Sequence, residues 1–161
     1  MNTSSADKPD SAGVTLYPPI VFVVCLVGGI AAEFLWGSRF HPLPREAALY
    51  AGIALAVFGF LFQSAGWFRF KRQGAEIKTN RPTPKFVASG AYRLSRNPMY
   101  VGFVAMLAGA GVAADSLPML AGALVMFFYL DWYVVAREER YMSRAFGGEY
   151  EAYCRKVRRW L

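Results

Sequence analysis

Positive charge in this chain is confined to two blocks, and that confinement constrains the fold more than any other feature. Of the 18 Lys and Arg residues, eight lie between Arg69 and Arg96 and seven between Arg137 and Arg159; only Lys8, Arg39 and Arg45 fall elsewhere. The intervals between are apolar: Pro18 to Trp36, Leu49 to Phe68, Met99 to Ala114 and Leu117 to Val135. A bilayer core of about 30 Å asks for roughly 20 helical residues, with about 17 as the lower limit. Each interval is close to the length of a span. The third, at 16 residues, is at the edge of that range and either crosses or dips as a hairpin with the fourth.

A buried helix of a soluble domain is the alternative for any one interval. Four of them in 161 residues, in a chain 55% apolar and only 18% charged, leave too little polar surface to cover a water-soluble globule. The expected fold class is therefore all-α and integral to the membrane, with about four transmembrane helices plus a C-terminal amphipathic cytoplasmic helix. Residues 1–14, rich in Ser, Asp and Pro, are expected to be disordered, and residues 15–161 to form a single domain. The first apolar stretch does not read as a cleaved signal peptide, because Asp7 and Asp10 flank Lys8 where a compact basic head would stand, and no small-residue cleavage site follows.

Positively charged loops tend to stay on the cytoplasmic side. Four crossings put the 69–98 linker and the 136–161 segment on one face, which is expected to be cytoplasmic together with the N-terminus, leaving the turns near His41 and Asp115 outside. A membrane surface accounts for the basic residues, so nucleic acid is not an expected partner. One histidine and two dispersed cysteines, Cys25 in a span and Cys154 in the tail, cannot close a four-coordinate zinc site, and no metal is expected.

The linker carries the turn-prone run Thr79 to Pro84 and then Ser89-Gly90, so it is expected to be irregular. At about 25 residues between Lys71 and Ser95 it is longer than a plain connection needs. Asn97-Pro98 marks the start of the third span, since Asn is a strong helix N-cap and Pro suits the first helical position. The free N–H groups of such a first turn can receive an anion, with Arg93 and Arg96 adding positive charge; a simply capped helix whose arginines meet lipid phosphates is the plainer reading. Glu138 and Glu139 follow directly on an apolar span, where an ionised carboxylate is costly without a cationic partner. Arg137 and the basic linker are available to them. Asp131, two α-helical turns before Glu138, is expected to share its face. Beyond Gly147-Gly148, a helical spacing runs through Tyr150, Tyr153, Val157 and Trp160.

The run Ser89-Gly90-Ala91-Tyr92-Arg93-Leu94-Ser95-Arg96-Asn97-Pro98-Met99-Tyr100-Val101-Gly102, followed by Glu138-Glu139 and by Phe146-Gly147-Gly148-Glu149-Tyr150-Glu151-Ala152-Tyr153, resembles the isoprenylcysteine carboxyl methyltransferases and the related phospholipid methyltransferases. The resemblance covers roughly residues 74–161, with both motifs in order around a helical hairpin. It implies a membrane enzyme that takes S-adenosyl-L-methionine from the cytoplasm. By motif position it implies that Tyr92, Arg96, Asn97, Pro98 and Tyr100 line the cofactor site, and that Glu138 or Glu139 meets the cofactor's ammonium or ribose. Many eukaryotic members carry His at the position of Asn97 and an arginine at that of Val134; here Arg137 is the nearest cation that would hold an acceptor carboxylate. The implied acceptor is a lipophilic small molecule or prenylated species, first an isoprenylcysteine-type carboxylate, with a phospholipid amine or a small lipophilic thiol or acid as the alternative. For a thiol or alcohol, Glu138 or Asp131 would serve as base. A reading of another class is a non-catalytic basic module that binds anionic membrane lipids or a partner.

Overall fold

A computed structural model describes residues 12–37, 44–72 and 87–161. The segment around His41, expected as an outer turn, the Thr79–Pro84 run and residues 1–11 lie outside the described residues.

The chain folds into helices α1 (Pro18–Trp36), α2 (Arg45–Arg72), α3 (Pro98–Ala114), α4 (Leu117–Phe128) and α5 (Ala136–Cys154), with a short 3₁₀ turn over Gly90–Arg93. There is no strand among the described residues. Helices α4 and α5 are continuous through seven residues of π-helix, Tyr129–Val135, so one long rod starts at Leu117 and runs on to a kink at Gly147, beyond which α5 ends at Cys154. Residues α1, α2 and this rod are long and apolar enough to cross a membrane; α3, with 17 residues, is shorter. Most of their large apolar side chains face outward, including Val24, Phe34, Phe60 and Leu124. That inversion suits a lipid solvent, and the chain is an integral membrane protein.

Each helix end has a local cause. Pro18-Pro19 opens α1, and Gly37 closes it in the left-handed region with its N–H on the Glu33 carbonyl. Ser116 caps α4, accepting from the N–H of Met119 at 3.4 Å, and its own hydroxyl donates to Glu33 at 2.6 Å. That second bond ties the far end of α1 to the tight α3–α4 turn at Asp115, and gives Glu33 a partner inside the protein.

Between α2 and α3 the contact is made by glycine. Gly52, Gly59 and Gly66 are buried on α2 at intervals of seven, and Gly102 and Gly109 on α3 repeat the spacing. A Cβ on Gly59 would lie 2.7 Å from the carbonyl oxygen of Gly102, and one on Gly102 would lie 2.4 Å from Cβ of Gln63. With no side chain between them the antiparallel backbones touch, which is how helices associate where lipid removes the hydrophobic drive. This contact seats the first turn of α3 against α2, since a Cβ on Gly66 would meet Met99 and Pro98 at 3.0 and 3.2 Å.

The core lies between α1, α3 and the long rod, with Met126, Leu130, Val134 and Val135 wholly buried around Leu107 and Tyr100. Val14, before α1, is buried in the same cluster. Leu16 accepts a hydrogen bond at its carbonyl from Tyr129, and the Thr15 and Tyr133 hydroxyls meet at 2.7 Å. The chain ahead of α1 is thus laid across the π-helical turn.

Candidate functional site

Arg96, Arg159 and the acids that follow the fourth span meet at one end of the bundle, where four pieces of chain converge: the 3₁₀ turn, the first turn of α3, the first turn of α5 and the segment after Cys154.

Asn97 occupies the N-cap position of α3, with Pro98 next and fully buried, and its carbonyl takes the N–H of both Tyr100 and Val101 at 3.0 Å. Its side chain makes no cap bond. Instead Nδ2 donates to the carbonyl of Arg159 at 3.0 Å, and the Asn97 N–H donates to Ser95 Oγ at 3.0 Å. The amide is turned from its own helix toward the tail. Tyr92, buried in the 3₁₀ turn, accepts at its carbonyl from the Tyr153 hydroxyl at 2.6 Å, which fastens the turn to α5. Burial, with Glu138 and Tyr153 nearby, pushes the Tyr92 phenol well above its ordinary range, so it stays neutral.

The two glutamates have different surroundings. Glu138 accepts from the Tyr100 hydroxyl at 2.7 Å through Oε1, and that is its one hydrogen bond among the described residues. Glu139 is gripped by two guanidiniums. Arg159 reaches it with Nη2 on Oε2 at 2.5 Å and Nε on Oε1 at 3.2 Å, and Arg96 Nη1 lies 3.2 Å from Oε1. Arg159 also donates from Nη1 to Asp131 Oδ1 at 3.2 Å, and the indole of Trp160 donates to the same oxygen at 3.0 Å. Hydrogen bonding to Glu139 raises the Arg159 pKa beyond the usual arginine value, so this cation is permanent.

The π-helix explains why Asp131 joins Glu139. In a regular α-helix Asp131 lines up with Glu138. Bonds of the i→i+5 type widen the turn and displace the register by about one residue. Asp131 therefore stands on the face of Glu139, and one guanidinium spans both. Sequence periodicity carries no trace of this shift.

Of the expected site residues, Tyr92, Arg96, Asn97, Pro98, Tyr100, Glu138 and Glu139 are gathered at this end of the bundle. Arg137 is not joined to the acids: it donates from Nη1 to the Tyr133 carbonyl at 3.1 Å and stacks on the Tyr133 ring at 3.9 Å. Arg159 and Trp160 were not anticipated as members. The helical spacing through Val157 and Trp160 does not correspond to a helix, because α5 ends at Cys154. The segment after it turns back, which is what carries Arg159 to the acids. Gly147, at φ 50° and ψ −127°, breaks α5 where Gly147-Gly148 suggests.

One donor in this cluster is unsatisfied. Arg96 Nη1 lies 2.6 Å from Cys154 Sγ as well as near Glu139, while its Nε is buried without a partner among the described residues. A buried donor left unpaired costs about 1–3 kcal/mol. Three carboxyls, Asp131, Glu138 and Glu139, also stand against two guanidiniums, Arg96 and Arg159. Burial pushes Glu138 up to about 7, so two carboxylates balance two guanidiniums while it holds its proton; once it ionises the cluster has surplus negative charge and fits a ligand that carries net positive charge and an acceptor for Arg96. No group of three or more His, Cys, Asp or Glu side chains is arranged to hold a metal among the described residues.

An uncharacterized protein of Haemophilus influenzae is 42% identical over 40 residues, a match covering 25% of this chain and 64% of that protein's length, less than two thirds of it. No solved structure matches the chain. The phospholipid methyltransferase family profile matches residues 47–149, from the start of α2 to beyond the kink in α5. That match takes in well over half of the 161 residues, and the chain belongs to the phospholipid methyltransferase family.

Proposed function

We propose that the protein is an S-adenosyl-L-methionine-dependent methyltransferase acting on a lipophilic, membrane-resident acceptor, with its basic end toward the cytoplasm. The observation that carries this reading is the convergence of Tyr92, Arg96, Asn97, Tyr100, Glu138 and Glu139 at the mouth of the bundle. The cofactor supplies a methyl group already activated on sulfonium, and with its ammonium and carboxylate it has the net positive charge that the acid-rich cluster favours. Arg96 offers its unpartnered Nε to the carboxylate, and the uncommitted oxygen of Glu138 suits the ammonium or ribose.

With an activated donor, the protein's work is to hold two partners in line and to exclude water. Tyr100 fixes Glu138 from α3, and the tail fixes Glu139. Pro98 and the glycine-lined α2 contact set the height of the α3 turn. For a carboxylate acceptor of the isoprenylcysteine type no general base is needed. Arg137, on the first turn of α5, is the cation for it.

A phospholipid amine is the second reading of the acceptor, favoured by the family match and by the carboxylate of Glu138, which attracts an amine and repels an acid. Transfer of labelled methyl from S-adenosyl-L-methionine to N-acetyl-S-farnesylcysteine and, separately, to phosphatidylethanolamine vesicles distinguishes them. Labelling of the first alone supports the carboxylate reading; labelling of the second alone replaces it.

A further inference from the structure

We infer that Arg159 is a positioning residue of the cofactor site, one that holds Glu139 on α5 and Asn97 at the start of α3 in a single geometry; the inference rests on the methyltransferase reading above.

The backbone is pinned first. The Arg96 N–H donates to the carbonyl of Arg158 at 3.0 Å, and Asn97 Nδ2 and Ser95 Oγ donate to the carbonyl of Arg159 at 3.0 and 3.4 Å. From that anchored position the guanidinium reaches across to the long rod, where it takes both oxygens of Glu139 and one of Asp131. Trp160 adds a second donor to Asp131, and its ring lies 5.0 Å from that of Phe127. One residue therefore joins the start of α3 through its carbonyl and two points of the rod about two turns apart through its side chain.

Neutralisation of Glu139 does not by itself require this arrangement, since Arg96 already lies against it and its side chain is 16% exposed, against 38% for Arg159. The fork is what Arg159 adds. A guanidinium has five N–H donors in fixed directions, and a bidentate grip holds a carboxylate in plane as well as in place. With both Glu139 oxygens engaged, its plane follows from where Arg159 is anchored, and Arg159 is anchored by Asn97. Movement of either the tail or the α3 turn is thereby passed to the other.

The test is calorimetric titration of the detergent-purified full chain with S-adenosylhomocysteine. Variants are Arg159→Ala, Arg159→Lys, Glu139→Gln and the double variant Arg159→Ala/Glu139→Gln. Arg155→Ala, exposed and outside the cluster, controls for loss of a tail charge. The inference expects Arg159→Ala to weaken binding at least tenfold, Arg159→Lys to recover only part of the loss, and the double variant to bind within about threefold of Arg159→Ala. Non-additivity marks residues that act through one another once each single variant is shown to keep the parent's unfolding midpoint, and the partial recovery in Arg159→Lys separates the fork from a general loss of structure. Unchanged affinity in folded Arg159→Ala overturns the inference, and so do losses that multiply in the double variant. Should Arg159→Ala fail to fold, Arg159→Lys decides: it keeps the charge without the fork, and full affinity in it overturns the assignment. Absence of binding in the folded parent removes the methyltransferase reading itself. Binding by the parent with an indifferent Arg159 removes this inference alone.

Discussion

The hydroxyl of Tyr100 donates to Oε1 of Glu138 across 2.7 Å, joining the third residue of α3 to the third residue of α5. These residues are 38 apart in sequence, and they meet because the α3–α4 hairpin returns the chain to the end from which it started. Tyr100→Phe leaves the ring packed and removes the one hydrogen bond to this carboxylate among the described residues. Burial pushes Glu138 up to about 7, so this bond lies between the neutral and the charged case and contributes about 0.5–3 kcal/mol. Unfolding in mixed micelles should show a loss of that order.

Arg137 and Glu139 should separate by assay. Arg137 is turned onto Tyr133 and makes no contact with the acids, so Arg137→Ala is expected to leave S-adenosylhomocysteine affinity within about twofold, a few tenths of a kcal/mol. If the acceptor is a carboxylate, turnover in the same variant falls at least tenfold. A tenfold loss of cofactor affinity in Arg137→Ala would place that residue in the wrong role.

At the α2–α3 contact a single methyl is costly. The Cβ of Gly102→Ala would fall 2.5 Å from the Gly59 carbonyl oxygen, which is backbone and cannot rotate away. Overpacking of this kind costs about 1–3 kcal/mol. Gly28, with nothing within 4 Å of its Cβ position, is the comparison: Gly28→Ala should be neutral or stabilising by up to about 1 kcal/mol from helix propensity. Mixed-micelle unfolding of both variants measures the difference.

Gly147 and Gly148 are adjacent and should differ in their response to a side chain. Neither has an atom near its Cβ position, but Gly147 lies at φ 50° and ψ −127° and Gly148 does not share that conformation. Gly147→Ala is expected to cost about 1–3 kcal/mol through backbone strain alone. Gly148→Ala is expected to change stability by less than about 1 kcal/mol. Equal effects in unfolding would mean that the kink is not held.

Hydropathy made the four apolar stretches legible as helices, three of them long enough to cross a membrane, because charge in this chain is segregated so strictly that apolar length alone marks them. The start of α3 was legible from Asn97-Pro98, and the acids from their place directly after a span. What was hidden is long-range or depends on a single-residue shift. The π-helical turn has no signature in Tyr129–Val135, yet it decides that Asp131 faces Glu139. Arg159 is one of seven basic residues after Val135, and nothing local marks it from Arg155 or Arg158. Its role depends on where the segment after Cys154 returns. Asn97 was legible as a cap by position, but its side chain goes to a residue 62 places away, where no local preference reaches.

Titration of the purified chain with S-adenosylhomocysteine, beside Glu139→Ala and Tyr100→Ala, tests the central claim most directly. The account predicts binding by the parent and a loss of at least tenfold, about 1.4 kcal/mol, in each variant. A folded parent that takes up no S-adenosylhomocysteine would contradict it.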